Sequence, residues 1–321
     1  MVSERFGAAS AAPFFFPAMV RGASAILVED NASLGCKRET LETVKALKVL
    51  AYAKLNLVLR VVGRREDGYH LIQSLFCAID LADEIWLYPK ERGIELLASE
   101  ELGPPEKNLA LRAAKALLGE GGPGVRIVLR KNIPVGAGLG GGSSDAAAVL
   151  AGLNFLFKLG KTADELRGLG AKLGADVPFF FGKSPAWVEG IGDIVTPVDI
   201  GLPKAFLLVV PPFPCPTAEV YRLFDELGLP FSLRQGIPSI PPFMNDLWPA
   251  AATLRPELRE IRRVLESVES LGVGLSGSGS AFFLAFSSLR DAEKAKERLV
   301  GKAEAKLFIA RPVDCGYKIV G

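Results

Sequence analysis

The stretch VGAGLGGGSSDAAA, Val135 to Ala148, packs five glycines into seven positions just ahead of an alanine-rich run. Glycine loses more chain freedom on folding than any other residue, so such a run is costly unless the backbone itself has a task. Gly136-Ala-Gly138-Leu-Gly140-Gly141 satisfies the dinucleotide pattern G-x-G-x-x-G. That use requires a strand running straight into the glycines and an acid ending a second strand about 20 residues on. Here Lys131–Pro134 intervenes, and 20 residues later the pattern is still helical, near Leu156 to Gly160. A Walker A loop requires G-K-[ST], and Gly142 is followed by Ser143. What remains is glycine backbone opening a helix with Ser143, Ser144 and Asp145 in its first turn. Exposed N–H groups and the positive end of the helix dipole bind phosphate there without a lysine. A tight turn with a serine cap is the plainer alternative; the glycine density favours a phosphate cradle.

The rest of the composition narrows the class. The chain has 321 residues, 38 basic and 36 acidic and mixed along its length, which argues against nucleic-acid binding by charge. Cys36, Cys77, Cys215 and Cys315 form no C-x-x-C pair, and His70 is the single histidine. Reduced thiols in a cytoplasmic protein are expected, with no zinc site. No apolar run reaches the roughly 20 residues of a membrane span. Residues 1–47 read as an extension. Its AAPFFFPAMVRGASA resembles a signal peptide with Ala23-Ser24-Ala25 as cleavage site, although two prolines and sparse positive charge count against that. A transit peptide, an upstream start with Met19 as alternative, and a poorly ordered tail stay open.

From Val49 the pattern turns regular. VLAYAKLNLVLRVV predicts a strand with a turn beginning at Gly63, and LIQSLFCAIDLADEIWLYP predicts strand, short turn, strand. EKNLALRAAKALLGE predicts a helix stopped by glycine, VRIVLRKNIP a strand ending at Pro134, and a helix follows from about Ser144 to Leu159. TADELRGLGAKLG is a helix with Thr162 as N-cap and Glu165 three residues on. ADVPFFFGKSPAWVEGIGD predicts extended structure and turns. KAFLLVVPPFPCP is a buried strand that opens a second domain, with helices near 217–227 and 256–270. GVGLSGSGSAFFLAF is a glycine-rich turn into a strand, then DAEKAKERL a helix and AKLFIARPV a last strand. Strands and helices do not strictly alternate, so α+β is favoured over a doubly wound sheet. The two glycine loops, one per domain, suit convergence on one anionic ligand.

The motifs IPVGAGLGGGSSDAA, AKLNLVLRVVGRREDGYHLIQSLF, EKNLALRAA, LGADVPFF, VEGIGD, NDL and GLSGSGSAFF, lying in other parts of the chain between residues 49 and 284, resemble those of the GHMP kinases. The likeness is strongest to the branch acting on a cytidylyl polyol in non-mevalonate isoprenoid synthesis. It implies a two-domain fold: residues 48–203 form a domain like ribosomal protein S5 domain 2, and residues 204–321 a ferredoxin-like α/β sandwich. The active site then lies in the cleft between them. It departs from the family at Tyr52, where proline is usual, and leaves residues 1–47 unexplained.

By the same resemblance ATP is the phosphoryl donor, with Mg2+ carried on the nucleotide. Asp176 is the catalytic base and Lys54 the second catalytic residue. Taken alone they are an ordinary turn aspartate and strand lysine. Together they suit phosphoryl transfer, in which the protein positions reactants and neutralises charge. A cation beside a carboxylate favours its charged form and steadies the moving phosphoryl. Pro134, Val135, Gly136, Ala137, Gly138, Leu139, Gly140, Gly141, Gly142, Ser143 and Ser144 correspond to the phosphate loop, and Lys107 and Asn108 to the adenine region. Asn56 shares the Lys54 face of a strand and is implied to contact substrate, with Thr217 and Tyr221. Tyr69 and His70 are implied to recognise cytosine, by stacking and by edge hydrogen bonds. Gly277, Ser278 and Gly279 form the second glycine loop, and Asn245-Asp246 is left without a catalytic role. The substrates are small molecules, with no membrane or nucleic-acid partner and a monomer or weak homodimer expected. Another GHMP alcohol kinase and a non-catalytic GHMP-fold sensor are the competing readings; Tyr69-His70 speaks against the first and Lys54 with Asp176 against the second.

Overall fold

The computed structural model describes residues 46–302 and 304–320. The signal-like segment and Cys36 lie outside the described residues, as does the expected 1–47 extension up to residue 45.

Two sheets and seven helices form one compact unit. The first sheet runs β11 (Tyr317–Val320), β1 (Leu47–Arg64), β2 (His70–Lys90), β4 (Gly124–Arg130), β3 (Ile94–Ala98), with β5 (Ala186–Glu189) on β2 and β6 (Ile194–Pro197) on β5. Only β3 and β4 pair in parallel. The second sheet, β10 (Lys306–Ala310), β7 (Ala205–Val210), β9 (Phe282–Phe286), β8 (Gly272–Leu275), is antiparallel. The largely antiparallel pairing bears out the α+β expectation.

Alternation of side chains sorts the core into three layers. Ala205, Leu207 and Val209 of β7, with Phe282, Leu284 and Phe286 of β9, pack against α4 (Thr217–Glu226), α5 (Trp248–Leu254), α6 (Glu257–Glu266) and α7 (Leu289–Leu299). The intervening Phe206, Leu208 and Phe283 turn the other way, onto Leu55, Leu57 and Leu75 of the first sheet. On the far face of that sheet, α1 (Leu109–Leu118), α2 (Gly141–Leu156) and α3 (Ala163–Ala171) close the third layer.

The register of β1 decides where the face carrying Lys54 and Asn56 points. Pairing with β2 shifts between Tyr52 and Ala53, so Val49 and Ala51 belong to the helix-backed core while Ala53, Leu55 and Leu57 belong to the core between the sheets. Lys54 and Asn56, of the opposite parity, then face a cavity.

The same shift corrects one expectation. LIQSLFCAIDLADEIWLYP is one continuous strand, and the expected turn is a bulge that skips Asp80 and Leu81 in the register. Asp80 is held there from outside, accepting from the Arg311 N–H at 2.7 Å and from its Nε at 2.9 Å. Strand β1 likewise runs through Gly63 to Arg64, and β4 stops at Arg130, before Pro134. The glycine-opened helix starts at Gly141 and ends at Leu156 rather than Leu159. Thr162 and Glu165 form the expected capping box. The stretch expected to hold extended structure and turns opens with a 3-10 turn, Val177–Phe181, ahead of β5 and β6. The last strand is β11, beyond the ARPV segment.

Strand β11 reaches β1 through Gly316, whose O accepts from the Tyr52 N–H at 3.0 Å, a bond that a proline at position 52 could not donate. A Cβ at Gly316 would stand 2.4 Å from the Cα and O of Phe180. Gly316→Ala is expected to destabilise by about 3 kcal/mol, the upper range for overpacking against rigid backbone, read as a lowered urea midpoint.

Candidate active site

The glycine loop and the start of α2 form one wall of a cavity of about 490 Å³ that β1, β2, α4 and the second glycine loop also line. Gly136, Gly138 and Gly140 all have positive φ, between 69° and 77°. At Gly138 a side chain is excluded outright, since a Cβ would lie 2.1 Å from the Ser276 O. The first N–H groups of a helix have no intrahelical partner, so the α2 start presents donors to the cavity.

The loop is fastened from two directions. The Lys54 N–H of β1 donates to the Leu139 O at 2.9 Å. From the second glycine loop, the Ser276 hydroxyl donates to the Gly138 O at 2.9 Å and the Ala281 N–H to the Ala137 O at 3.1 Å. The second loop therefore buttresses the first, and contributes Gly277 and Ser278 to the cavity wall; Gly279 packs on Leu275 and Cys215 instead. Asn245 holds this buttress by donating to the O atoms of Leu275 and Gly277, at 2.8 and 2.7 Å. Asp246 accepts from the Val61 N–H at 2.9 Å and the Ser232 hydroxyl at 2.7 Å. Asn245 and Asp246 thus work on backbone geometry.

Lys54 is buried, and three contacts fix its ammonium. Its Nζ donates to the Asn56 Oδ1 at 2.6 Å, lies 3.2 Å from the Asp176 Oδ2, and sits 4.5 Å from the centre of the Phe76 ring. Asn56 is itself oriented by its Nδ2 donating to the Ser74 hydroxyl at 2.9 Å. Asp176 opens the 3-10 turn ahead of Pro178 and is about a third exposed, toward the cavity. Two residues 122 positions apart in sequence thus meet at the mouth of the phosphate loop.

The other expected residues divide. Lys107 and Asn108 line the cavity, and Asn108 also caps α1 by accepting from the Leu111 N–H at 3.1 Å. Thr217 and Tyr221 of α4 line it too, the Thr217 hydroxyl 3.1 Å from that of Ser278. Burial pushes the Tyr221 hydroxyl above the ordinary phenol range, with Asp176 and Asp246 adding in the same direction. The His70 ring stacks on Tyr221 at 4.7 Å and donates from Nε2 to the Asp225 Oδ1 at 2.7 Å. Tyr69 stands outside the cavity lining, 61% exposed.

Sequence reasoning missed one cluster. Lys131 contacts the Asp83 Oδ2 and lies 2.7 Å from the Asp145 Oδ2, with all three side chains buried. Burial pushes the Asp145 carboxyl up to about 7 against the pull of Lys131, with Asp83 adding to the rise. For Lys131 burial works against the charge, yet the two carboxylates outweigh it and hold the ammonium above the ordinary lysine value. The signal was present: Asp145 heads the otherwise apolar run DAAAVLAGL, and a carboxylate buried there needs a cation. Among the described residues, no group of three or more His, Cys, Asp or Glu side chains is arranged to hold a metal ion. No described helix is long and apolar enough to cross a membrane.

Known proteins resemble this chain in sequence and in fold. Residues 108–183 match the GHMP kinases N terminal domain and residues 232–305 the GHMP kinases C terminal model. A 4-diphosphocytidyl-2-C-methyl-D-erythritol kinase of Syntrophus aciditrophicus is 41% identical over 283 residues, covering 84% of this chain and 100% of the relative. The chain belongs to the 4-diphosphocytidyl-2-C-methyl-D-erythritol kinase family. A relative of the same name from Neisseria gonorrhoeae is 42% identical over 80% of this chain and 92% of its own length. A crystal structure of 4-(cytidine 5'-diphospho)-2C-methyl-D-erythritol kinase superposes with a TM-score of 0.69 at 38% identity, over 82% of this chain and 99% of that one. Homoserine kinase from Cytophaga hutchinsonii, at 18% identity and a TM-score of 0.64, shares the fold. The protein is a kinase of the GHMP type.

A carboxyl whose folded pKa is raised binds its proton more tightly in the native state. Its stabilisation is therefore complete below about pH 4 and is lost as pH rises through about 7. Asp145→Asn has no such proton to lose, so its stability relative to the parent is expected to improve from about pH 5 to about pH 8 in urea denaturation.

Proposed function

We propose that this kinase transfers the γ-phosphoryl group of ATP to the 2-hydroxyl of 4-diphosphocytidyl-2-C-methyl-D-erythritol, in the cytoplasm, between a nucleotide-holding domain of residues 48–203 and a domain of residues 204–321. The observation that carries this reading is the Lys54–Asp176 pair, 3.2 Å apart, at the mouth of a glycine loop hydrogen-bonded to Lys54 itself. The loop fits a phosphate chain: its glycines keep side chains out of the wall, and the α2 N-terminus offers donors to anionic oxygen. Lys107 and Asn108 lie on the same wall, where an adenine would extend from those phosphates. Mg2+ travels with the nucleotide and partly neutralises its phosphates.

In the transfer, the acceptor oxygen forms a bond to the γ-phosphorus as the bond to the bridging oxygen of ADP breaks. Asp176 orients the hydroxyl and takes its proton late, while Lys54 stands against the charge on the moving phosphoryl. Asn56 holds Lys54 in place and adds a polar atom at the acceptor side. Tyr221 provides a stacking wall for cytosine, and Asp225 orients the His70 ring behind it. Tyr69, exposed at the rim, would complete the sandwich by closing over the base.

Two assays test this. With the cytidylyl substrate, Asp176→Asn and Lys54→Ala are expected to lower kcat for ADP release by about 10²–10⁴-fold; undiminished turnover in both sinks the mechanism. The uridine analogue is expected to show kcat/KM at least about tenfold below that of the cytidine compound. Equal values would refute base recognition by His70.

A further inference from the structure

The buried ion cluster sits where the phosphate loop begins and where it ends. Lys131 follows the last residue of β4 and opens the loop's entering stem. Asp145 belongs to the start of α2, the leaving stem, and Asp83 comes from β2 beneath both. The second oxygen of Asp83 accepts from the N–H groups of Asn132 and Ile133, at 2.6 and 2.8 Å, the two residues before Pro134. Asp83 therefore grips the entering stem and Asp145 rises from the leaving one. One ammonium joins them. Its Nζ also lies 3.2 Å from where a Cβ would stand on Gly141, the first residue of α2.

A buried pair of carboxylates around one lysine is a poor means of adding stability, because desolvation offsets the attraction and apolar side chains would serve as well. What it does supply is a fixed geometry between three segments. The Asp145 Oδ1 and the Ser144 Oγ are left without hydrogen-bond partners, so this first stretch of α2 depends on Lys131 for its polar contacts. The span between the two stems in turn sets how the glycine arc presents its N–H groups.

We propose that Lys131 is a positioning residue for phosphoryl transfer, tying the two stems of the phosphate loop together through Asp83 and Asp145 and so fixing the loop's grip on ATP. Lys131 and Asp145 also line the cavity, but the Lys131 ion pairs go to Asp83 and Asp145 and not to Asp176, so its effect falls on the nucleotide half of the site. This rests on the reading that the loop holds the phosphates of ATP.

The test is a double-mutant cycle read by steady-state kinetics and by amide hydrogen exchange without nucleotide. Lys131→Met is expected to raise KM for ATP by about tenfold or more while KM for the alcohol moves less than about twofold. Asp145→Ala should act in the same direction, and the double variant should be no worse than the more severe single one, since both remove one bridge. Asp145→Asn should recover most of the loss, because an amide oxygen still accepts from the ammonium. Where Lys131→Met folds poorly, Lys131→Arg takes its place, since the larger planar guanidinium would hold the two carboxylates at a different spacing from the ammonium. Faster exchange confined to residues 134–144 is expected in the lysine variants. The proposal is overturned if Asp145→Ala leaves KM for ATP unchanged while Lys131→Met raises it, which would make the lysine a direct nucleotide contact. Additive effects, a parallel rise in both KM values, or unaltered exchange overturn it equally. The exchange result decides even if the parent protein fails to phosphorylate the polyol, a failure that would count against the proposed function and not against the tie.

Discussion

The hydrogen bond from the Lys54 N–H to the Leu139 O couples the strand that carries the buried Lys54 ammonium to the glycine loop across the cavity. Everything else in the site is referenced to that joint. The loop cannot shift along the cavity without breaking it, and the Lys54 ammonium cannot move without leaving Asn56 and Asp176. Phosphoryl transfer asks mainly for reactants held in line among fixed charges. A rigid connection between cation and cradle meets that need with two backbone atoms. The buttress behind Gly138 extends the same logic, since the close approach of the Ser276 O leaves room only for glycine.

The cavity is built by two parts with different demands. On the nucleotide side, main-chain groups dominate: glycine backbone, a helix start, and the stems beside it. On the α4 side, side chains dominate, with Thr217, Tyr221 and the His70 ring behind Tyr221. This division fits a donor recognised by charge and an acceptor recognised by shape and hydrogen-bond pattern. Discrimination between bases comes from polar atoms that a wrong base leaves unpaired, and that requires side chains in set orientations. His70 is set by Asp225 on one ring atom and by Tyr221 on one face.

Local features were legible in the sequence. The glycine loop, the Thr162–Glu165 capping box and the continuously apolar β7 strand declare themselves within a few residues, because each is decided by neighbours in the chain. The catalytic pair was reachable only through resemblance, since nothing near Lys54 announces Asp176. What escaped was set by distant partners. An acid and a turn-like IDLADE segment suggested a break in β2, but Arg311, from the far end of the chain, holds Asp80 in a bulge. The Lys131 cluster escaped for the same reason: its three members come from β2, the β4 exit and α2, and only burial makes them one object. Tyr69 and His70, neighbours in the chain, both stand outside the cavity wall, Tyr69 exposed and His70 stacked behind Tyr221.

Strand β11 pairs with β1, so one side of the first sheet is built from segments at opposite ends of the described chain. A ribosome delivers β1 early and β11 last. During synthesis the outer edge of β1 must wait with its N–H and C=O groups unpaired, a state that invites pairing with other chains. The Tyr52–Gly316 bond and the fit of Gly316 against Phe180 form only once that distant segment has been made. The strand that carries Lys54 thus has its outer edge covered by a segment made long after it, so this pairing comes late in the assembly of the first sheet.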